Sequence, residues 1–155
     1  MIKVGIIGCG YWGPNLIRNF NSSDKAELKW ICDIDSYRLD KMASSYPNVK
    51  TTNNIDNISN DNDIDAVAIA TPVNTHYKIA KKFLEKGKNV LIEKPIASNL
   101  KQAEELIEIA DNNKLSLMCD HTYCYSSSVK KIKDLFKEKI LGEILYYDST
   151  RINLG

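Results

Sequence analysis

Val4-Gly5-Ile6-Ile7-Gly8-Cys9-Gly10-Tyr11-Trp12-Gly13-Pro14-Asn15-Leu16 is the stretch that decides the fold. Its first four residues form a short apolar run of the kind that makes a buried strand. Gly8, Gly10 and Gly13 then fall at G-x-G-x-x-G spacing, and Leu16, Ile17 and Phe20 follow on one helical face. Strand, glycine turn and helix in that order form a phosphate-binding unit. Gly8 permits the tight turn, Gly10 lets a pyrophosphate approach the backbone, and Gly13 lets helix and strand pack closely. Pro14 suits a first helical turn. The free N–H groups there, with the helix dipole, attract phosphate.

The rest of the chain repeats the alternation. Leu28–Cys32, Val49–Thr51, Ala66–Ala70, Val90–Ile92 and Leu115–Met118 read as strands, the second of them weak. Between them, Leu39/Met42/Ala43/Tyr46, Ile55/Ile58, Ile79/Ala80/Phe83/Leu84 and Ala103/Leu106/Ile107/Ala110 take helical spacing. Gly87 supplies a helix stop, and Asn99 with Gln102 sits at capping-box spacing. Such alternation predicts a doubly wound parallel sheet of Rossmann type, an α/β fold with helices on both faces. Both strand faces are then buried, which explains the continuous Val/Ile/Ala runs.

Composition is ordinary for a soluble globular protein. The 155 residues are 43% apolar and 26% charged, with 21 Lys+Arg against 20 Asp+Glu, a net charge of +1. That balance argues against a nucleic-acid or membrane-surface binder. No apolar run approaches the roughly 20 residues that cross a bilayer, and Met1 leads straight into a strand without a signal peptide. A cytoplasmic location is expected. Cys9, Cys32, Cys119 and Cys124 lack zinc spacing and read as reduced core or turn residues, with no metal. The lysines at 78, 81, 82, 86 and 88, and those at 130, 131, 133, 137 and 139, read as solvated helix faces.

Asp33 ends the second strand, 20 residues past Gly13, where an acid that binds ribose hydroxyls belongs. A carboxylate there repels a 2′-phosphate and favours NAD over NADP. Asp35 is the rival, better placed as the N-cap of the next helix. Arg38 can stack on adenine or reach a 2′-phosphate, which keeps NADP open. Two more clusters follow strands: Ala70-Thr71-Pro72-Val73-Asn74-Thr75-His76 and Glu93-Lys94-Pro95. Ligands of open parallel sheets bind outside the carboxyl ends of the strands, which is where both clusters fall. Lys94-Pro95 is a candidate cis bond.

Taken together, the glycine motif, Cys32-Asp33-Ile34-Asp35, Ala70-Thr71-Pro72, His76, Glu93-Lys94-Pro95, Asp120-His121-Thr122-Tyr123 and Leu141-Gly142-Glu143-Ile144 resemble the Gfo/Idh/MocA oxidoreductases, the glucose–fructose oxidoreductase and inositol dehydrogenase type. The resemblance implies NAD(P)-dependent hydride transfer at a secondary alcohol of a sugar, nucleotide sugar or polyol. It maps Lys94 to the catalytic lysine. A lysine amine that is partly desolvated beside a cationic ring gives up its proton more readily than a free one. The resemblance places Tyr11 and Trp12 with the glycines on the cofactor and Glu93 on the nicotinamide ribose. Thr71, Pro72 and His76 line the pyrophosphate and nicotinamide side. His121 and Tyr123 fall by the ring or substrate, a hydrogen-bonded structural role being equally open for His121.

Beyond residue 120 the pattern changes. Val129, Ile132, Leu135 and Phe136 suggest one more helix, and Glu143–Arg151 a long strand without a successor. Family members continue into an α+β substrate domain, so 1–120 is read as the cofactor domain and 121–155 as the start of the second. A non-catalytic NAD-binding regulatory or assembly module is the alternative. A homo-oligomer pairing terminal strands is a third expectation.

Overall fold

In the computed structural model, residues 1–140, 142–150 and 152 are described. The chain divides into two units, Met1–Asp120 and His121–Gly155. In the first, strands and helices alternate: β1 Ile2–Ile7, α1 Gly13–Asn21, β2 Ala26–Cys32, α2 Ser36–Ser45, β3 Lys50–Thr52, α3 Asp56–Ser59, β4 Ala66–Ile69, α4 Val73–Glu85, β5 Asn89–Glu93, α5 Leu100–Asn112 and β6 Leu117–Asp120. The six strands form one sheet in the order β3-β2-β1-β4-β5-β6, and every pairing is parallel. This is the Rossmann arrangement. The order reverses between β1 and β4, and a crevice opens there at the carboxyl ends.

Alternating strand residues feed two cores. Ile6, Ile31 and Ala68 meet Leu16, Ile17, Leu39 and Met42 of α1 and α2 on one face. Ile7, Val67, Ile69 and Ile92 meet Ile58, Phe83, Leu84 and Leu106 of α3, α4 and α5 on the other. Burying strands on both sides makes the sheet a rigid platform for its carboxyl edge.

Helix ends follow their sequence signals. Asp35 caps α2, accepting from the Tyr37 and Arg38 N–H groups. Asn99 caps α5 by accepting from Gln102 N at 3.0 Å. The Gln102 side chain in turn accepts from Ser98 N, one residue earlier than a capping box requires. After α4, Gly87 (φ +72°) turns the chain. Gly87 N then bonds Leu84 O and Lys88 N bonds Phe83 O, the paired closure of a Schellman stop.

Lys88 departs from the solvated face expected of it. It is 7% exposed, and its Nζ donates to Asp61 O at 2.9 Å and Ile64 O at 2.7 Å. The turn at Gly87 directs it under the loop before β4, whose carbonyls need donors. The third strand begins one residue later than expected, at Lys50.

In the second unit a 3₁₀ turn, Thr122–Tyr125, precedes helix α6, Ser127–Lys137. Ser126 caps α6 by accepting from Val129 N. Residues 143–150, expected as a strand, join no ladder among the described residues. Their Ile/Leu/Tyr content suits a strand, but a strand exists only against a partner. Arg151 lies outside the described residues.

Candidate cofactor site

The first βα turn is built around close approaches. Gly8 has φ +99°, and a Cβ on it would stand 2.5 Å from Ala70 O. A Cβ on Gly13 would fall on the Gly8 carbonyl oxygen. Gly10 is different: its nearest neighbour would be Arg38 Nη1 at 3.6 Å, ordinary contact. Gly8 and Gly13 are therefore required by the turn itself. Gly10 is not, and its missing side chain leaves open the space over the helix N-terminus.

Asp33 is buried at 8% exposure. One oxygen accepts from Cys9 N at 2.5 Å and the other from Asp35 N at 2.9 Å. A carboxylate offers about four lone-pair positions. One on each oxygen stays available, which suits a vicinal ribose diol. Asp35, the rival, is occupied at the head of α2, and its Oδ2 also holds Arg38 Nε at 3.2 Å. Arg38 lies beside the glycine turn with its charge already paired.

A cleft of about 720 Å³ runs along the carboxyl edge. It passes from Ile34 and Arg38, past Asp33 and the turn at Gly8, Gly10, Tyr11 and Trp12, to Thr71, Pro72, Glu93 and Lys94. Its volume falls in the range of cofactor sites. A second hollow, of about 300 Å³, lies at the amino ends of the strands near Ile2, Lys25 and Ser116 and is almost wholly apolar. Asp33, the glycine turn, Thr71, Pro72, Glu93 and Lys94 all line the first.

His76 is outside the cleft wall and supports it. It is 1% exposed. Nδ1 lies 2.8 Å from Pro95 O and Nε2 lies 2.8 Å from Thr71 O. The imidazole thus ties the loop after β4 to the loop after β5, where the Lys94–Pro95 bond is cis. A neutral ring donates to one carbonyl, and only the doubly protonated ring donates to both. Above it, Thr75 Oγ1 donates to Pro72 O or to Thr71 Oγ1, each at 2.7 Å.

At the far end, Glu93 and Asp120 are register partners on β5 and β6. Burial, then the neighbouring Asp120 carboxyl, push Glu93 up to about 6. Nothing in the linear sequence brings these two together. The signal was their position, each the last residue of its strand. His121 and Tyr123 belong to the second unit and are exposed, His121 just before the 3₁₀ turn and Tyr123 within it. Cys9 and Cys32 are buried and free. Burial first, then the Asp33 charge, raises their thiols to about 12 and about 11. Both are inert core residues. No cluster of metal-ligating side chains occurs among the described residues.

Strand order, glycine turn, a buried acid just past the end of β2 and a cleft across the switch point together define a dinucleotide-binding domain. The model of the GFO_IDH_MocA family, described as "Oxidoreductase family, NAD-binding Rossmann fold", matches residues 2–121. The chain belongs to that family. An uncharacterized oxidoreductase, YdgJ of Escherichia coli strain K12, is 33% identical over 148 residues, covering 96% of this chain and 42% of YdgJ. Glycosyl hydrolase family 109 protein 2 of Shewanella sp. strain ANA-3 is 26% identical over 161 residues, covering 98% of this chain and 35% of the relative. Among solved structures, scyllo-inositol dehydrogenase from Lactobacillus casei with bound NAD(H) and scyllo-inositol superposes with a TM-score of 0.86. It covers 92% of this chain and 43% of its own, at 24% identity, a likeness of fold alone. The chain spans about two fifths of the length of the relatives it matches. No helix among the described residues is long and apolar enough to cross a membrane.

Proposed function

We propose that this chain is the cofactor half of an NAD-dependent dehydrogenase acting on a secondary alcohol of a sugar, nucleotide sugar or polyol. The observation that carries the proposal is the single cleft that joins Asp33 and the glycine turn at one end to Glu93 and Lys94 at the other. The strand order puts β2 and β5 on opposite sides of the switch point. With Asp33 holding the adenosine ribose and Gly10 leaving room for the pyrophosphate, the residues at the ends of β4 and β5 would hold the nicotinamide half of a dinucleotide. The bound cofactor supplies the hydride acceptor or donor. Lys94 takes the hydroxyl proton as the hydride leaves, and returns it in the reverse direction. Glu93 orients the nicotinamide ribose, and Thr71 and Pro72 close the wall between.

NAD is preferred to NADP in this reading because Asp33 faces the 2′ position and Arg38 is engaged by Asp35. A sugar-type substrate is supported by the printed names of relatives in the glycosyl hydrolase family 109 group. Free, buried Cys9 and Cys32 suit a reducing, cytoplasmic setting. Residues 121–155 are read as the connection into a substrate domain.

The test is NADH formation from a panel of polyols and sugars by the polypeptide that carries this chain. Lys94→Ala is expected to lose turnover by about 10²–10⁴-fold, the usual worth of a positioned acid–base group, while NADH binding persists. Undiminished turnover in that variant removes Lys94 from the mechanism. NADH binding without turnover on any alcohol supports the regulatory module instead.

A further inference from the structure

The carboxyl ends of β5 and β6 hold a pair of which the hydride-transfer reading uses Glu93 and leaves Asp120 without a role. Glu93 and Asp120 are register partners, so their side chains leave the sheet on the same face. Glu93 Oε1 is sealed from solvent and accepts from no donor. A buried acceptor left in that state is costly. The carboxyl that neighbours Glu93 across the β5–β6 register is Asp120, and two carboxyls bond each other only with a proton between them.

The surroundings favour keeping that proton. Burial and Asp120 raise Glu93, against a weaker downward pull from the Lys94 backbone N–H and the Lys94 charge. Cys119 on β6 feels the same edge: burial first, then Asp120 and Glu93, hold its thiol proton on. On the β4 side, Ala70, Thr71 and Pro72 carry no ionisable group. His76 of α4 spends its ring nitrogens on the carbonyls of Thr71 and Pro95. Lys94 is thus the one cation among the described groups that act on Glu93.

We propose that Asp120 is a positioning residue of the cofactor site: it holds Glu93 through one shared proton, and that proton leaves when the oxidised, cationic nicotinamide ring settles at the β5 edge. The inference rests on the dinucleotide reading of the cleft. The balance is simple. The pair passes from one negative charge to two, the ring brings one positive charge, and the proton goes to solvent. The reduced ring is neutral, so the pair keeps its proton when NADH binds. Oxidised cofactor competes with the proton and reduced cofactor does not.

Calorimetric titration of the 155-residue chain with NAD⁺ and with NADH, in buffers of different ionisation enthalpy, counts the proton. Near pH 5, NAD⁺ binding is expected to release about one proton and NADH binding about none. Between about pH 7 and pH 5, NAD⁺ affinity should fall about tenfold while NADH affinity changes less than about twofold. Asp120→Asn puts an amide N–H where the proton was. It keeps Glu93 bonded and ionised, and should abolish both the proton release and the fall in affinity. A merely structural role for Asp120 would weaken both cofactors at every pH and leave the proton count unchanged, which overturns the proposal. Normal NADH binding with no proton released by NAD⁺ also overturns it, and leaves the cofactor reading standing. Absence of binding by either cofactor overturns the cofactor reading and this inference with it.

Discussion

A methyl group added at Gly10 and one added at Gly13 meet opposite surroundings, and the difference separates binding from folding. At Gly10 the nearest atom is Arg38 Nη1 at 3.6 Å. Gly10→Ala is therefore expected to change stability by no more than about 0.5 kcal/mol. It fills the space proposed for the pyrophosphate, so NADH affinity should fall at least about tenfold, or about 1.4 kcal/mol. At Gly13 the methyl falls on the Gly8 carbonyl, and Gly13→Ala should cost about 2–4 kcal/mol through forced backbone movement. Thermal melts beside NADH titrations of the two variants check the contrast. Glu93 gives a prediction in pH. Its carboxyl is raised from 4.5 to about 6. The protonated form therefore stabilises the fold below 4.5, and that stabilisation is lost as pH rises through about 6. Glu93→Gln cannot ionise. It should melt higher than the wild type near pH 8, with the difference vanishing at about pH 4.5.

The elements were legible wherever an apolar run met a terminator. Ile6-Ile7, Ile31-Cys32, Val67–Ile69 and Val90–Ile92 are strands because their side chains enter the two cores on either side of the sheet. Asp35, Asn99 and Gly87 mark helix ends by side-chain and backbone chemistry that needs no tertiary information. Asn99→Ala should cost about 1 kcal/mol, measured by denaturant unfolding, because Gln102 N loses its acceptor. Readings failed where the answer depended on a distant partner. Lys88 lies in a lysine-rich segment and looks solvated, yet the carbonyls that bury its ammonium belong to residues 61 and 64. Residues 143–150 have strand composition and join no ladder among the described residues. The Glu93–Asp120 contact required the strand order, since 27 residues separate the two. The tie from His76 to Pro95 required the β4–β5 pairing that sets the two loops side by side.

At the scale of the whole first unit, the architecture acts by opposing two halves across β1 and β4. One half carries Asp33 and the capped start of α2. The other carries the Thr71-Pro72 loop, cross-tied by His76 to Lys94-Pro95, and the carboxyl pair on β5 and β6. In the proposed reading a dinucleotide spans both, and each half meets one end of it. The glycine turn, Asp33 and the Glu93-Lys94-Pro95 cluster could be read in the sequence because each occupies a strand end of a recognisable βα unit. Their union into one cleft is a property of the sheet. The central claim is that this cleft holds a nicotinamide dinucleotide, and a fluorescence titration of the 155-residue chain with NADH tests it directly. Saturable binding with one site per chain is expected, weakened at least about tenfold by Asp33→Ala and by Gly10→Ala while both variants stay folded. A folded chain that binds no NADH, or variants that bind it as well as the wild type, would contradict it.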